Sequence, residues 1–149
     1  MIGGTRIAAI EHAFDRLTEH VKNITALRTD PVVRDRIGAL AADIEVARQL
    51  QMRNIRLVEQ GKPVIHEAAI GKVFTSELQE RLGQAALDIL GSGGLLSEDS
   101  DSAPVGEMEQ LLRHSIMGMI GGGTNEIQRN VIAQRGLELS RLTRSKFYE

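Results

Sequence analysis

The chain of 149 residues carries a formal net charge of −2, is 42% hydrophobic, and contains no cysteine. Its length suits one domain with a sizeable core, and its charge gives no attraction for nucleic acid or an anionic membrane. The lack of cysteine excludes disulfides, thiolate nucleophiles and thiolate metal sites, and it fits a cytoplasmic protein. Neither a signal peptide nor an apolar run of membrane-spanning length is apparent, so no membrane association is expected.

The first half of the chain shows helical periodicity. A first helix is predicted from Thr5 to Arg28, because apolar residues recur there at steps of three and four. The sequence "TDP" follows, in which Thr29 or Asp30 caps a second helix and Pro31 takes its first position. That helix is predicted to run to about Gln60. Its apolar seam comprises Val33, Ile37, Leu40, Ile44, Ala47, Ile55 and Val58.

The second half alternates helices with glycine turns. Gly61 reads as a stop and Pro63 as the start of a third helix, which runs to about Leu90 and ends in the turn Gly91–Gly94. An acidic loop at about 97–107, predicted to be flexible, leads to a fourth helix at 108–118. After Gly121–Gly123, a fifth helix covers 125–137, and a partly ordered tail covers about 140–149.

The predicted architecture is therefore all-α. No segment alternates with period two, so no strand is expected. Residues 1–149 are interpreted as a single antiparallel helical bundle with three long helices and two shorter ones.

The two glycine turns allow more than one interpretation. Gly121–Gly123 precedes a helix start, where free N–H groups and the helix dipole favour an anionic phosphate, but Gly-rich turns with a Thr cap also simply join helices. Gly91–Gly94 follows a helix C-terminus, which is typical of a C-cap and a chain reversal. From the residues alone, both alternatives stay open for the first turn.

Other chemistry has little support in the pattern. The histidines are scattered, and His66 and Glu67, being adjacent, are expected to point about 100° apart on a helix, so no metal site is predicted. No nucleophile motif is present either. Glu77 and Arg81 form the clearest predicted i, i+4 ion pair, which is interpreted as a solvated surface contact.

Three segments together resemble the C-terminal helical domain of the acyl-CoA dehydrogenase family: "DIEVARQL", "ALDILGSGG" and "LLRHSIMGMIGGGTNEIQRNVIAQRGL". The family reads approximately L-Y-R-D-A, a short spacer, then Y-E-G-T-(S/N)-(E/Q)-I-Q-R. The matching residues are Leu111, Leu112, Arg113, Gly123, Thr124, Ile127, Gln128 and Arg129. The resemblance extends from about Ile7 to Leu142.

The resemblance implies flavin chemistry. Members of the family remove the α proton of an acyl-CoA with a carboxylate and pass the β hydride to FAD. Their C-terminal bundles associate, so a homo- or hetero-oligomer is implied here. The implied FAD contacts form two groups. Gly123, Thr124 and Glu126 belong to the turn that approaches the diphosphate, and Asp88, Gly91 and Ser92 belong to the turn that contacts the neighbouring subunit's FAD.

The departures from the family pattern are chemically important. The family's base precedes Gly-Thr, and here that residue is Gly122, which cannot take a proton. Some members instead carry the base ahead of a Gly-Gly segment, which on "MIGGTRIAA" falls before Met1. No catalytic residue is therefore assigned. Asp88 replaces the family's glutamine, and "LRTDPVV" replaces its R-x-x-F-G arm.

Two functions follow from this comparison of motifs. The first is the C-terminal domain of an FAD-dependent acyl-CoA dehydrogenase, which contributes an oligomer interface and part of the FAD site and is inactive alone, because 149 residues hold only this domain. The alternative is a non-catalytic helical bundle that serves as a subunit-association partner.

Overall fold

The computed structural model describes residues 3–97, 99–100 and 105–141. Within these residues there are six α-helices and no strand, which confirms the predicted all-α class. Their bounds are α1 Gly3–Asn23, α2 Thr25–Thr29, α3 Pro31–Glu59, α4 His66–Leu90, α5 Glu107–Ile120 and α6 Asn125–Val131. A 3₁₀ turn, Gly91–Leu95, follows α4, and a π-helical turn, Ile132–Gly136, follows α6.

Helix α4 is the centre of the bundle and packs against α1, α3, α5 and α6. Side-chain pairs show that neighbouring long helices are antiparallel, because later residues of one meet earlier residues of the next. Asp43 of α3 pairs with Arg81 of α4, whereas Asn54, further along α3, donates to the carbonyl of Glu67 near the start of α4. The predicted antiparallel bundle is thus observed.

The core is aliphatic, as the composition requires. Its buried hydrophobic residues are Ile7, Ile10, Ala13, Leu17, Val21, Val33, Leu40, Ile44, Ala47, Leu78, Leu82, Ala86, Ile89, Val105 and Met108. The seam of α3 is buried only as far as Ala47. Ile55 and Val58 continue the same stripe but are 42% and 64% exposed.

Two predicted helix boundaries were wrong. The first predicted helix breaks at Ile24, whose backbone is extended, and the separate short helix α2 follows. Asn23 and the β-branched pair Ile24 and Thr25 are weak helix formers, which favours a break at this point. Helix α4 begins at His66 rather than at Pro63, because the residue before Pro63 is a lysine that cannot cap a helix and two β-branched residues follow.

Two other boundaries, the Asp30 cap and the Gly61 stop, match their signals. Asp30 caps α3 by accepting hydrogen bonds from the backbone N–H groups of Val32 at 2.7 Å and Val33 at 3.2 Å, with Pro31 at the first position. Gly61 follows α3 with φ +68°, a conformation that favours glycine. The regular part of the fifth predicted helix is shorter than expected, because α6 passes into the π-helical turn after Val131.

The predicted flexible segments fall largely outside the described residues. Residues 98 and 101–104 of the acidic loop and residues 142–149 of the tail are not described, so their flexibility stays a prediction. Val105, near the end of the loop, is only 3% exposed and is part of the core.

Candidate functional site

The turn between α5 and α6 has a backbone that favours glycine. Gly122 and Gly123 have φ angles of +71° and +94°, which L side chains rarely adopt. A Cβ on Gly123 would lie 2.7 Å from Nε2 of Gln128, which donates to the carbonyl of Gly122 at 2.9 Å. A Cβ on Gly122 would meet nothing within 4 Å. The turn is therefore exposed and closed on one side by Gln128, with open space above Gly122.

Thr124 and Glu126 define the start of α6. Oγ1 of Thr124 accepts a hydrogen bond from the backbone N–H of Ile127 at 3.4 Å, so the predicted N-cap is confirmed. The Glu126 backbone N–H, and then the Thr124 hydroxyl, lower the pKa of the Glu126 carboxyl from its ordinary value. Its negative charge lies at the positive end of the helix dipole, where it is stabilised.

The C-terminus of α5, directly before this turn, is held by cations from two other helices. Arg6 of α1 donates to the carbonyl of Gly118 at 3.3 Å, and Lys72 of α4 donates to the carbonyl of Met119 at 2.8 Å. Both carbonyls belong to the last turn of a helix, where no intrahelical donor is available and the dipole favours positive charge. A Cβ on Gly118 would lie 2.9 Å from Nη1 of Arg6, so glycine lets the guanidinium approach.

Asn125 links the other side of the turn to α4. It is only 4% exposed, and its Oδ1 accepts from Nζ of Lys72 at 2.6 Å. Its Nδ2 donates to Oγ of Ser76 and to Oε1 of Glu77, each at 3.1 Å. Glu77 also pairs with Arg129 of α6. The buried amide is thus fully bonded, as a polar group inside a protein needs to be.

This network was missed in the sequence. Its partners on α4 and α6 are about fifty positions apart, and no local pattern joins them. The available signal was that Lys72 and Ser76, at i and i+4, place two polar residues on one face of α4. The predicted Glu77–Arg81 pair was wrong: Glu77 pairs with Arg129, and Arg81 pairs with Asp43 at 2.9 Å.

The second glycine turn lies at the other end of α4. Gly91 has φ +60° and ends the helix, and both Gly91 and Ser92 are exposed. Gly94 is buried, and a Cβ there would lie 2.9 Å from Cβ of Leu90. Asp88 pairs with Arg36 of α3, with 2.7 Å between Nη1 and Oδ2. The carboxylate at the position of the family's glutamine is therefore balanced by a cation.

The six candidate cofactor residues thus form two groups rather than one. Gly123, Thr124 and Glu126 adjoin the part of α4 that holds Lys72, whereas Asp88, Gly91 and Ser92 lie at its C-terminal end. Sixteen helical residues separate Lys72 from Asp88, which corresponds to about 24 Å along the helix axis. The two turns of one chain are too far apart to hold the same diphosphate.

The expectation for His66 and Glu67 was wrong in its geometry. Nε2 of His66 lies 3.2 Å from Oε1 of Glu67, so the two side chains meet although they are adjacent at the start of α4. Oε2 of Glu67 is buried without a hydrogen-bond partner. Even so, the described residues contain no cluster of three or more His, Cys, Asp and Glu side chains that could hold a metal ion.

An open groove of about 280 Å³ lies between α1, α2 and α3. Val21 and Ile37 contribute apolar surface to it, and Arg28 and Arg34 contribute cations. It lies near the C-terminal end of α1, whereas Arg6, near the N-terminal end, contacts the segment before Gly121. The groove is therefore separate from the glycine turn. None of the described helices is long and apolar enough to cross a bilayer.

The comparisons with known proteins agree with the fold and the motifs. The sequence model of one family, described as acyl-CoA dehydrogenase, C-terminal domain, matches residues 1–137. The probable acyl-CoA dehydrogenase YngJ of Bacillus subtilis is 33% identical over 106 residues, which cover 71% of this chain and 26% of that protein. The cyclohexane-1-carbonyl-CoA dehydrogenase of Geobacter metallireducens is 30% identical over 141 residues, which cover 92% of this chain and 35% of that protein.

A solved structure of the ChsE4–ChsE5 complex from Mycobacterium tuberculosis superposes with a TM-score of 0.83 and 26% identity. The match covers 92% of this chain and 36% of that one. The chain therefore spans about a quarter to a third of the length of such relatives. It belongs to the acyl-CoA dehydrogenase family and corresponds to the C-terminal helical domain of that family.

Proposed function

We propose that the chain serves as the C-terminal domain of an FAD-dependent acyl-CoA dehydrogenase in the cytoplasm. In this role it contributes part of an FAD site and part of a subunit interface, and it does not turn over acyl-CoA alone. The observation that carries the proposal is the turn Gly122–Thr124. It keeps the family's Gly-Thr pair at a helix start and replaces the base with Gly122.

The residues of this turn fit a diphosphate-bearing cofactor. Gly122 and Gly123 are exposed and have no side chain to keep a ligand away from the backbone. Arg129, one helical turn into α6, is 54% exposed and pairs with Glu77. The carboxylate of Glu126 would repel an anion. The family accepts either Glu or Gln at this position. Gly123 and Thr124 would therefore hold the diphosphate, and Glu126 would lie at its edge.

The second turn fits a cofactor held mainly by another subunit. The backbone of Gly91 and Ser92 is exposed, and Arg36 balances the charge of Asp88. The separation of about 24 Å between Lys72 and Asp88 along α4 supports a role in two different FAD sites. Such an arrangement requires an oligomer, in which each bundle completes its neighbour's site.

When bound, the flavin supplies an acceptor for the hydride that leaves the β carbon of the acyl-CoA. The described residues of this chain bind and orient, and none is assigned to take the α proton. The base and most of the acyl-CoA pocket are expected from other segments.

The exposed surface near the turn supports the association role. Ile116, Met117 and Ile120 at the end of α5 and Ile127 on α6 are between 54% and 70% exposed. A cluster of large apolar side chains in water is typical of an interaction surface. We therefore expect this surface, the α5–α6 apolar patch, to be covered in an oligomer.

Turnover is tested by adding FAD and an acyl-CoA to the isolated chain and following the bleaching of the flavin absorbance. No bleaching is expected, because Gly122 cannot accept a proton. A full-length family member with its own base is the positive control. Appreciable dehydrogenation by this chain would contradict the absence of a base.

The association role is tested by sedimentation of the 16.3 kDa chain. Met117→Lys places a charge in the α5–α6 apolar patch and should shift the protein towards monomer. Val32→Lys, at a position on α3 that is 59% exposed, is the matched control and should leave the association unchanged. Equal association of both variants would exclude the patch as the interface.

The alternative function is a non-catalytic bundle that only associates with an active chain. The replacement of the family's base by Gly122 is the observation that favours it. Flavin titration separates the two proposals. Stoichiometric FAD binding by an assembly that contains this chain, with a loss of binding on Thr124→Ala, supports the domain of a flavoenzyme. Association without any flavin contact at Thr124 supports the non-catalytic partner.

A further inference from the structure

The three glycines of the Gly121–Gly123 turn allow many backbone conformations, yet a cofactor site needs a defined backbone. Three consecutive glycines lose more conformational entropy on ordering than any other residues. Gln128 bonds the carbonyl of Gly122, but both groups belong to the turn and its own helix. Something outside α5 and α6 is needed to fix the position of the turn relative to the bundle.

Lys72 meets this requirement. Its Nζ donates on one side to the carbonyl of Met119, the second-last residue of α5, and on the other side to Oδ1 of Asn125, the first residue of α6. One ammonium group therefore joins both ends of the segment that contains Gly121–Gly123. Hydrogen bonds of a charged donor are roughly twice as strong as neutral ones.

The surroundings of Lys72 hold it in this position. Asn125 is itself fixed by Ser76 and Glu77, the next helical turn of α4, and Ser76 is fully buried. Burial, ahead of repulsion by Arg6, lowers the pKa of Lys72, whereas Glu126 and Glu77 raise it. The ammonium is thus partly withdrawn from water and donates to two protein acceptors.

We propose that Lys72 is a positioning residue, which from α4 ties the end of α5 to the start of α6 and thereby sets the conformation of the Gly121–Thr124 turn that would face the cofactor. The link to FAD rests on the proposed function. The mechanical link between Lys72 and the turn does not, and the two can be tested separately.

The first test is amide hydrogen exchange of the whole chain, with Lys72→Met compared with Lys62→Met. Methionine keeps most of the side-chain length but cannot donate, and Lys62 lies at an exposed position between α3 and α4. In Lys72→Met the amides of Gly121, Ile127 and Gln128, which donate hydrogen bonds in this segment, should exchange about 10- to 100-fold faster, the factor that corresponds to a charged hydrogen bond. Unchanged protection of these amides would overturn the proposal.

A second variant keeps the test decisive if Lys72→Met does not fold. Asn125→Ala removes the same link from the side of α6 and should accelerate exchange in the same residues. Protection equal to that of the unaltered chain would contradict the proposal. Where both single variants fold, the double variant should accelerate exchange by less than the product of the two single effects, because both variants break the bond between Lys72 and Asn125.

The cofactor link is tested by titrating FAD into an assembly that contains the labelled chain and following the amide resonances of Gly122 and Gly123. Lys72→Met should weaken the response about tenfold at a temperature where the variant is fully folded. Ile44→Val, a destabilising core change away from the turn, should retain it. An equal loss in Ile44→Val would show a merely structural effect and overturn the positioning role.

The two proposals fail in different ways. If FAD leaves the turn unperturbed in an assembly that contains the unaltered chain, the proposed cofactor contact is contradicted, while the exchange data still decide whether Lys72 orders the turn. If FAD binds and Lys72→Met changes neither exchange nor affinity, the cofactor contact stands and the positioning role is excluded.

Discussion

Two glycines in long helices should respond in opposite directions to the same substitution. Gly38 lies in α3 and is exposed, and a Cβ there would meet nothing within 4 Å. Gly83 lies in α4 and is buried, and a Cβ there would come within 2.8 Å of Cβ and 2.9 Å of Cα of Leu112 in α5. Neither glycine has a positive φ, so alanine fits both backbones.

The magnitude follows from two contributions. Alanine in place of glycine inside a helix stabilises the folded state by about 1 kcal/mol, and this contribution is the same at both positions. At Gly83 the extra methyl group meets the backbone of Leu112, which cannot rotate away. Overpacking of this kind costs about 1–3 kcal/mol. Gly38→Ala should therefore raise the free energy of unfolding by about 1 kcal/mol, whereas Gly83→Ala should leave it unchanged or lower it by up to about 2 kcal/mol.

Thermal unfolding followed by circular dichroism measures both effects. For a chain of this size, about 1 kcal/mol corresponds to a shift of about 2–4 °C in Tm. Because the helix-propensity contributions cancel, the difference between the two variants reports the packing between α4 and α5 alone. Equal stabilisation by both substitutions would refute the close approach of these helices at Gly83. It would also remove a contact that sets α5, and hence the glycine turn, against α4.

Two further predictions concern helix starts. Asp30→Ala removes the acceptor of two backbone hydrogen bonds at the N-cap of α3. Chemical denaturation should show a free energy of unfolding that is lower by about 0.5–2 kcal/mol. The control Asp35→Ala, one turn into the helix, should have little effect. Glu126 has a lowered pKa in the folded state, so its stabilisation is present above its ordinary pKa of 4.5 and is lost as the pH falls through the folded value. Glu126→Gln should flatten the acid dependence of unfolding, with Glu59→Gln as the exposed control; an unaltered profile would contradict the interaction at Thr124.

Local signals predicted the fold where the relevant physics is local. Asp30 caps α3 and Thr124 caps α6, as their side chains and positions indicated, because an N-cap depends on neighbours within three residues. The prediction of a third helix from Pro63 was wrong, since proline at a first position favours a start only when the preceding residue can cap it. The exposure of Ile55 and Val58 could not be predicted, because periodicity identifies a face of a helix but not what lies opposite it.

In the candidate site too, local features could be predicted from the sequence and long-range contacts could not. The φ angles of Gly91, Gly122 and Gly123 agree with the glycine patterns, although a role for these residues in binding flavin stays a prediction. The connections of Lys72 and Asn125 could not be predicted, because long-range contacts depend on how α4 and α6 pack. The wrong pairing of Glu77 has the same cause. A suitable i, i+4 partner was present, but the tertiary neighbour Arg129 replaced it.

The backbone at Gly122 has room for the carboxylate that the family carries at this position. Steric exclusion does not account for the missing carboxylate, because a Cβ at Gly122 would meet nothing within 4 Å. The φ of +71° would cost an L residue only about 1–2 kcal/mol, a strain that a functional site can carry. A glutamate could therefore be accommodated at modest cost. Lack of space thus does not explain why this turn has no carboxylate to accept a proton. A dehydrogenase built on this turn needs its proton acceptor from another segment, and the open space above Gly122 is where a side chain from elsewhere could enter.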